Sequence, residues 1–516
     1  MENMYFRPEW TCGRYDKEKQ VALMYNLIEG MSYLFEDYSA EVVGEILLTD
    51  KNGQVSIDEV SLNTLIDKES LEPFFTELVQ IGLLVMEIPT TQKIDIYRKK
   101  IGTKRKEHPP IISVIEQTEK EELPQNISSA EKDYFDKVGG ITNVMFELTY
   151  NCSEQCIHCY NPGATRNDQE VNKRNDRIEL ELKDYERIID ELYDLGLTKV
   201  CLSGGDPFSK AIVWDIINYL YKKGVATDIF TNGQSIVKDV KRLAKYYPTL
   251  VGISIYSGIA EDHDYITRVK GSWERSMNVV KQLSDLGIPM NLKCCIMRSN
   301  AKSYHLVKEI AKKYGAVPQF DIKVINSLEG DKCASNYLRL SKEILELVLQ
   351  DNAISQYVGK EKLNYGGQAL PKEIICKSYC ITPEGNVQVC CAFPSSVGNL
   401  KEKTFVEILQ HSKELAYWNS IKLEDYEECG QHSYCNFCKM CPGINFAETG
   451  NPLKPAETNC YIAKIRSELA EKLKQGHDPL NAKSIQECLS SVSIPLLNIK
   501  REIRNNYRNE KLTVGG

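Results

Sequence analysis

A predicted strand runs directly into three closely spaced cysteines in the segment Val144-Met-Phe-Glu-Leu-Thr-Tyr150-Asn-Cys152-Ser-Glu-Gln-Cys156-Ile-His-Cys159-Tyr160. The β-branched and aromatic residues before Cys152 are typical of a strand, and the cysteines occupy the loop after it. Three thiolates on one short loop can hold three irons of a [4Fe–4S] cluster and leave the fourth iron open. A structural zinc site is the alternative, but it normally takes four protein ligands, and His158 lies between two of the cysteines.

Downstream of this loop the sequence alternates between strand and helix patterns. Six strands are predicted at 144–150, 199–203, 227–231, 251–256, 290–297 and 320–325. Helical patterns fill the intervals at 179–195, 210–223, 237–246, 273–286 and 303–314. This alternation predicts an α/β fold of parallel strands with right-handed crossovers, and six strands indicate a partial (β/α)6 barrel. Ligand sites in such folds lie at the carboxyl ends of the strands.

The composition excludes several classes of function. The net charge is −8, with 64 Lys+Arg against 72 Asp+Glu, which argues against nucleic acid as a partner. No stretch approaches the roughly 20 apolar residues that span a bilayer, and the first residues do not resemble a secretory signal. We therefore expect a cytoplasmic protein without a membrane partner. In the cytosol, where thiols stay reduced, the 18 cysteines favour metal binding over disulfides.

With these motifs the chain resembles the radical SAM superfamily, whose signature is the same three-cysteine spacing. The resemblance implies that the open iron binds S-adenosylmethionine (SAM), whose reductive cleavage gives a 5′-deoxyadenosyl radical that abstracts hydrogen from a substrate. Further family matches follow successive strands, and Asp206 stands where the family usually has Glu. By resemblance, the SAM-binding residues are Tyr160, Gly204, Gly205, Asp206, Thr231, Asn232, Ser254 and Arg268.

The cysteines after residue 370 resemble the SPASM extension of peptide-modifying radical SAM enzymes. That resemblance implies two auxiliary [4Fe–4S] clusters. The first would be held by Cys376, Cys380, Cys390 and Cys441, and the second by Cys429, Cys435, Cys438 and Cys460. His432 stands in a slot where the family often has Cys, so either Cys435 or His432 is the ligand, with the thiolate preferred. Cys391 is an alternative to its neighbour Cys390, and a zinc-ribbon-like structural module is the alternative to the whole assignment.

The first 95 residues are predicted to form a separate winged-helix-like α+β unit. Apolar runs at 21–25 and 31–35 predict a hairpin, and helical patterns follow at 39–48, 60–66 and 69–82. These residues resemble the peptide-recognition element of ribosomal-peptide pathways, which is similar to the PQQ-pathway peptide chaperone. The resemblance implies that a leader peptide adds a strand to the edge at 31–34, beside the helix at 71–79. A DNA-binding winged helix is the alternative, but a cluster of Lys and Arg on a recognition helix is lacking.

The patterns divide the chain into five parts. Residues 1–95 form the recognition domain, 96–140 a solvated linker, 141–345 the radical SAM barrel, 346–470 the SPASM domain and 471–516 a charged helical tail. The resemblance implies an oxidoreductase that crosslinks a precursor peptide through a thioether or carbon–carbon bond, reduced by a flavodoxin- or ferredoxin-type donor. The alternatives are a sulfatase-maturing type that makes formylglycine, a non-catalytic iron–sulfur sensor that binds peptide, and radical methylation or epimerisation, of which epimerisation needs no net oxidation. Catalytic residues remain unassigned.

Overall fold

The computed structural model describes residues 4–108, 129–161, 178–325, 338–351, 379–429, 431–438, 441–475 and 482–492. Cys376, which the sequence assigns to an auxiliary cluster, lies outside the described residues. So do residues 109–128 of the predicted linker and the end of the predicted tail after residue 492. Among the described residues, the longest apolar helical segments fall short of what a membrane crossing requires.

The N-terminal unit is built on a three-stranded antiparallel sheet with the order β2-β3-β4. These strands are Thr11–Asp16, Val21–Asn26 and Met31–Glu36, while β1 (Tyr5–Phe6) pairs with β5 (Gln54–Val55). The helices are α1 (Asp37–Leu48), α2 (Ile57–Thr64) and α3 (Lys68–Gln80). Ser56 and Asp67 accept backbone N–H groups at the starts of α2 and α3, so the two helices begin at capping residues. The hairpin and three helices lie near the predicted positions, whereas strand β2 was not predicted.

The solvated linker predicted for residues 96–140 is wrong over the described part of that interval. Helices α4 (Thr91–Glu107) and α5 (Ser129–Val138) occupy it and pack against the rest of the protein. Arg98 is 8% exposed and Tyr134 is fully buried. The basic run has helical spacing, so Arg98 and Arg105 face backbone carbonyls of neighbouring segments while the lysines between them face solvent. The charges that suggested a solvated linker therefore divide between the packed face of a helix, which holds the arginines, and its solvent face, which holds the lysines.

Within the described residues the central sheet contains nine strands in the order β11-β10-β9-β8-β7-β6-β12-β13-β14. The six predicted strands are parallel and adjacent, which confirms the barrel-type arrangement: β6 (Asn143–Glu147), β7 (Lys199–Ser203), β8 (Ala226–Thr231), β9 (Leu250–Ser254), β10 (Met290–Cys295) and β11 (Val317–Asp321). Six helices accompany them: α6 (Leu182–Asp194), α7 (Val213–Lys223), α8 (Val240–Ala244), α9 (Ala260–Thr267), α10 (Ser272–Asp285) and α11 (Leu306–Tyr314). The last strand begins three residues earlier than predicted, because residues 317–321 pair with residues 291–295.

The cysteine-rich C-terminal part extends this same sheet. Strand β12 (Tyr379–Ile381) runs parallel to β6, and β13 (Asn386–Cys390) and β14 (Phe393–Asn399) follow as an antiparallel hairpin. The remaining helices are α12 (Lys342–Gln350), α13 (Phe405–His411), α14 (Lys413–Ser420), α15 (Pro442–Thr449), α16 (Glu457–Lys474) and α17 (Ala482–Ser491). Because β12 continues the barrel sheet beside β6, the β13–β14 hairpin reaches the mouth of the barrel.

Candidate active site

A cavity of about 630 Å³ lies at the carboxyl ends of the barrel strands. Its wall combines the loop after β6, the ends of strands β7 to β11, and residues 391, 392, 441 and 444 from the C-terminal part. The structure brings ten of the predicted site residues to this wall: Cys152, Cys156, Cys159, Tyr160, Gly204, Gly205, Thr231, Asn232, Ser254 and Cys441. The cysteine loop and much of the predicted SAM site therefore share one space.

The cysteine loop is held in place by contacts to two neighbouring segments. The backbone N–H groups of Gln155 and Ile157 donate to the carbonyls of Thr267 and Ile266 at 3.0 and 2.9 Å. The side-chain amide of Asn232 donates to Sγ of Cys152 at 3.2 Å. The loop is thus fixed both at the end of α9 and at the end of β8.

The two glycines after β7 allow the loop to approach closely. Gly204 has φ +126°, and a Cβ at this position would lie 2.4 Å from the carbonyl oxygen of Thr149. A Cβ on Gly205 would lie 2.4 Å from the carbonyl oxygen of Asn151. Any side chain at either position would push away the segment that leads into Cys152, so sterics require glycine at both positions, and the positive φ is a second reason for glycine at Gly204.

The chemistry of the cavity wall fits an iron–sulfur cluster. Burial raises the pKa of the Cys152 thiol to about 12, so a thiolate at this position needs a nearby cation to stabilise it. Over the described ranges, no three His, Cys, Asp or Glu side chains are grouped as ligands of a single ion. Each thiolate of such a loop binds a different iron, so the three sulfurs need not converge on one point.

Two predicted SAM-binding residues do not lie in the cavity wall. Asp206 is fully buried, and its carboxylate accepts a hydrogen bond from the hydroxyl of Thr231 at 2.5 Å. Arg268 ends α9 with φ +61° and is exposed. Asp206 is thus bonded to Thr231 at the end of β8, and Arg268 lies on the protein surface where α9 ends. A role of Asp206 and Arg268 in binding SAM therefore stays a prediction.

The cysteines predicted for the first auxiliary cluster are only partly brought together. Cys380, on β12, is 1% exposed and lies within electrostatic range of Cys390 at the end of β13. Cys441 lies just before α15 and reaches the cavity wall, as does Cys391 in the turn between β13 and β14. Cys391 therefore lies in the cavity wall, next to the predicted ligands Cys380 and Cys390.

The cysteines predicted for the second auxiliary cluster form a compact group. Cys429 and Cys438 each lie within electrostatic range of both Cys435 and Cys460. Burial, followed by the nearby Cys460, raises the pKa of the Cys438 thiol to about 12. The alternative ligand His432 is exposed, and its ring stacks on Tyr434 with 4.8 Å between centroids. This placement favours Cys435 over His432 as the fourth ligand.

Several chemically active residues in the cavity were not identified from the sequence. Glu154, between two of the predicted cluster ligands, is 6% exposed, and burial raises its pKa to about 8. Tyr256 places its hydroxyl 4.0 Å from Sγ of Cys156. Lys293 and Asp321 line the opposite wall on β10 and β11. Lys293 could have been identified from the sequence, because it is a charged residue at an inward-facing position of a strand whose outward positions are apolar.

Comparisons with known proteins agree with these features. Residues 146–299 match the radical SAM superfamily, and residues 374–442 match the iron–sulfur cluster-binding domain called SPASM. The chain is 24% identical over 340 residues to the AdoMet-dependent heme synthase of Methanosarcina barkeri, a match that covers 60% of this chain and 94% of that protein.

Two further relatives are named for peptide pathways. The antilisterial bacteriocin subtilosin biosynthesis protein AlbA of Bacillus subtilis is 24% identical over 311 residues, covering 58% of this chain and 66% of AlbA. The PqqA peptide cyclase of Methylocella silvestris is 22% identical over 386 residues, covering 70% of this chain and 98% of the cyclase.

Proposed function

Because the chain carries a radical SAM domain followed by a SPASM domain, we propose that it oxidatively crosslinks a ribosomally synthesised precursor peptide. The radical SAM domain binds a [4Fe–4S] cluster and SAM, and the SPASM domain binds auxiliary iron–sulfur clusters. When bound, these groups supply a carbon-centred radical that abstracts hydrogen and an acceptor for the second electron. A thioether or carbon–carbon bond that forms with net loss of two hydrogens would use that combination: one hydrogen would leave as an atom, and the other as an electron to the acceptor and a proton to solvent.

One observation carries this proposal. The cavity is lined on one side by Cys152, Cys156 and Cys159 and on another by Cys391 and Cys441 of the C-terminal part. A peptide residue held in this cavity would therefore lie between the SAM-binding loop and the auxiliary-cluster region. The chain's own residues bind, orient and shield that peptide residue. The electron donor, proposed to be a flavodoxin or ferredoxin, reduces the SAM-binding cluster.

The N-terminal sheet offers a site for the leader of such a peptide. β4 ends the three-stranded sheet, and no further strand pairs with it among the described residues. Met31 at its start is 50% exposed, and Phe35 packs edge-on against Phe74 of α3 with 5.9 Å between ring centroids. An extended leader added to β4 would gain main-chain hydrogen bonds and an aromatic wall from α3.

This leader site is testable by binding. Phe74→Asp should weaken leader binding to the intact enzyme, because it places a charge in the aromatic wall. Glu72→Gln, on an exposed position of the same helix, is the matched control and should bind normally. Equal affinity of the two variants, measured by fluorescence anisotropy with a labelled leader, would contradict the site.

The experiment for the function itself is anaerobic co-expression with a candidate precursor peptide, sought among the short reading frames beside this gene. We expect the peptide to lose two hydrogens per event, with no mass change in the Cys152→Ala variant. A peptide that keeps its mass with active wild-type enzyme would contradict crosslinking. Formylglycine formed from Ser also removes two hydrogens, but it is an aldehyde that a hydrazide probe captures, whereas a crosslink is not.

A second function is favoured by one observation: the match to the heme synthase spans 94% of that relative. If this chain acted on a porphyrin, the reconstituted enzyme would change the mass of a porphyrin precursor of heme and would leave the peptide unchanged. We expect the reverse outcome. A non-catalytic sensor would bind the peptide but convert neither compound, and it would not cleave SAM.

A further inference from the structure

Lys293 is a cation in the wall of the active cavity that the chemistry described above does not use. It lies in β10, where it pairs in register with Ser254 of β9 and Gln319 of β11. All three residues line the cavity. The cysteine loop follows β6, and three strands separate β6 from β10 in the sheet. Lys293 therefore lies on the part of the wall opposite the SAM-binding loop.

The position of the Lys293 amine is built into the neighbouring strands. Its Nζ lies over the ring of Phe230, 3.2 Å from the centroid. A Cβ on Gly252 would lie 2.6 Å from Cε of Lys293 and 2.8 Å from the Phe230 ring. The absence of a side chain at Gly252 is thus what lets the lysine cross its neighbouring strand and rest on the aromatic face. Such a placement orients the ammonium but does not neutralise it.

Lys293 has no carboxylate partner within the part of the chain that the structure describes. The charged or titratable groups around it are Cys201, Asp228, Cys391 and Asp321. Neither carboxylate pairs with Lys293, although Oδ1 of Asp228 has no hydrogen-bond partner within the described residues. Asp228 lies 3.8 Å from the amine of Lys199, and the Asp321 carboxylate accepts the backbone N–H of Lys323 at 2.8 Å. Burial lowers the pKa of Lys293 because it destabilises the charged ammonium. A directly bound anion would offset this destabilisation.

We propose that Lys293 determines substrate specificity by binding a carboxylate of the peptide at the wall opposite the cysteine loop. This inference rests on the proposed function, because it assumes a peptide in the cavity. The carboxylate has two possible sources with the same chemistry, namely an Asp or Glu side chain next to the modified residue and the peptide's C-terminus. A charge-assisted hydrogen bond to an ammonium in a site partly shielded from water is strong enough to select the residue that reaches the radical.

The experiment measures binding of the precursor peptide to the cluster-loaded enzyme in the presence of SAM. Lys293→Met should weaken binding by about tenfold or more, as expected for a lost charge-assisted contact, whereas Lys293→Arg should retain most of it. Lys281→Met, at an exposed position of α10, is the matched control. Iron content and SAM affinity are measured for each variant, so that a misassembled protein is recognised. If Lys293→Met is misassembled, the peptide variants below are compared between the wild type and Lys293→Arg.

Peptide variants identify the carboxylate. Single Asp→Asn and Glu→Gln changes and a C-terminal amide are each tested against the wild-type enzyme and Lys293→Met. One of these peptides should bind the wild-type enzyme as weakly as the unchanged peptide binds Lys293→Met. The same peptide should bind Lys293→Met no more weakly than the unchanged peptide does, and it identifies the source of the carboxylate. Independent, additive losses for every variant would overturn the inference, as would an unchanged peptide affinity in Lys293→Met.

The remaining outcomes separate this inference from the proposed function. Weaker SAM binding in Lys293→Met with unchanged peptide binding would assign the lysine to the SAM carboxylate and overturn the inference. Tight, Lys293-dependent peptide binding without any mass change would support the inference and contradict the crosslinking reaction. A mass change that persists at the wild-type rate and affinity in Lys293→Met would support the reaction and contradict the inference.

Discussion

The side-chain amide of Asn232 donates a hydrogen bond to Sγ of Cys152 across 3.2 Å. Asn232 follows β8 and Cys152 follows β6, so the contact joins two loops at the same end of the sheet. Hydrogen bonds to cluster sulfurs raise the reduction potential, because they stabilise the more negative reduced state. The contact therefore links Asn232, one of the predicted SAM-binding residues, to the reduction potential of a cluster held by the cysteine loop.

Asn232→Ala should lower the reduction potential of the SAM-binding cluster by about 20–60 mV, which corresponds to one hydrogen bond of about 0.5–1.5 kcal/mol in a one-electron couple. The measurement is an anaerobic redox titration followed by EPR spectroscopy. Asn278→Ala, on an exposed position of α10, is the control. A potential that stays the same in both variants would show that the amide does not interact with the cluster.

Gly204→Ala should prevent the cysteine loop from reaching its place. The new Cβ would lie 2.4 Å from the carbonyl oxygen of Thr149, and the segment must move to avoid it. We expect the purified protein to lose about four irons per chain, the content of one cubane cluster. Gly224→Ala is a matched control, since Gly224 also has positive φ (+77°) but a Cβ there would meet nothing within 4 Å. Equal iron content in the two variants would mean that backbone strain alone, and not the collision, governs this position.

Arg105→Ala should loosen the attachment of the N-terminal unit to the barrel. The guanidinium donates to the carbonyl oxygens of Gly287 and Glu29 at 2.5 and 2.7 Å, so one side chain joins the β3–β4 turn region to the barrel. We expect faster amide hydrogen exchange in both segments, with a local loss of stability of about 2–3 kcal/mol. Lys104→Ala, its exposed neighbour, should leave exchange unchanged. Exchange at the wild-type rate in Arg105→Ala would show that other contacts fix the unit.

Glu147 should make stability depend on pH. It is 1% exposed, and burial raises its pKa from an ordinary value of 4.5 to about 7. Between these values the unfolded state has released the proton while the folded state still holds it, so stability falls as the pH rises from about 4.5 to about 7. Glu147→Gln removes this loss, which amounts to about 1–3 kcal/mol.

The measurement is the difference in Tm between the anaerobic wild type and Glu147→Gln at pH 6 and at pH 8. The Tm of Glu147→Gln minus the Tm of the wild type should be larger at pH 8 than at pH 6. Glu402→Gln, at an exposed position, should follow the wild type at both values. A difference that is the same at both pH values would contradict a buried, protonated Glu147.

The sequence could predict those features whose signal is local. The spacing of Cys152, Cys156 and Cys159, the glycines at 204 and 205 and the strand–helix alternation all survive into the structure, because each depends on short-range geometry. The hydrogen bond between Asp206 and Thr231 and the exposed, left-handed position of Arg268 could not be predicted, because they depend on tertiary contacts and on the backbone conformation where α9 ends. The linker prediction is wrong at residues 96–107 and 129–138 for a related reason: the charges suggested solvent, whereas helical spacing places the arginines against carbonyl groups.

The central claim is that a peptide residue in the cavity gives up a hydrogen atom during SAM cleavage. The most direct test supplies the reconstituted enzyme with precursor peptide deuterated at the carbon that becomes crosslinked, and measures the mass of the 5′-deoxyadenosine produced. We expect this nucleoside to gain one deuterium for each crosslink formed, and the deuterium to be absent with Cys152→Ala. Crosslinked peptide together with unlabelled 5′-deoxyadenosine, or SAM cleavage that never depends on the peptide, would contradict the account.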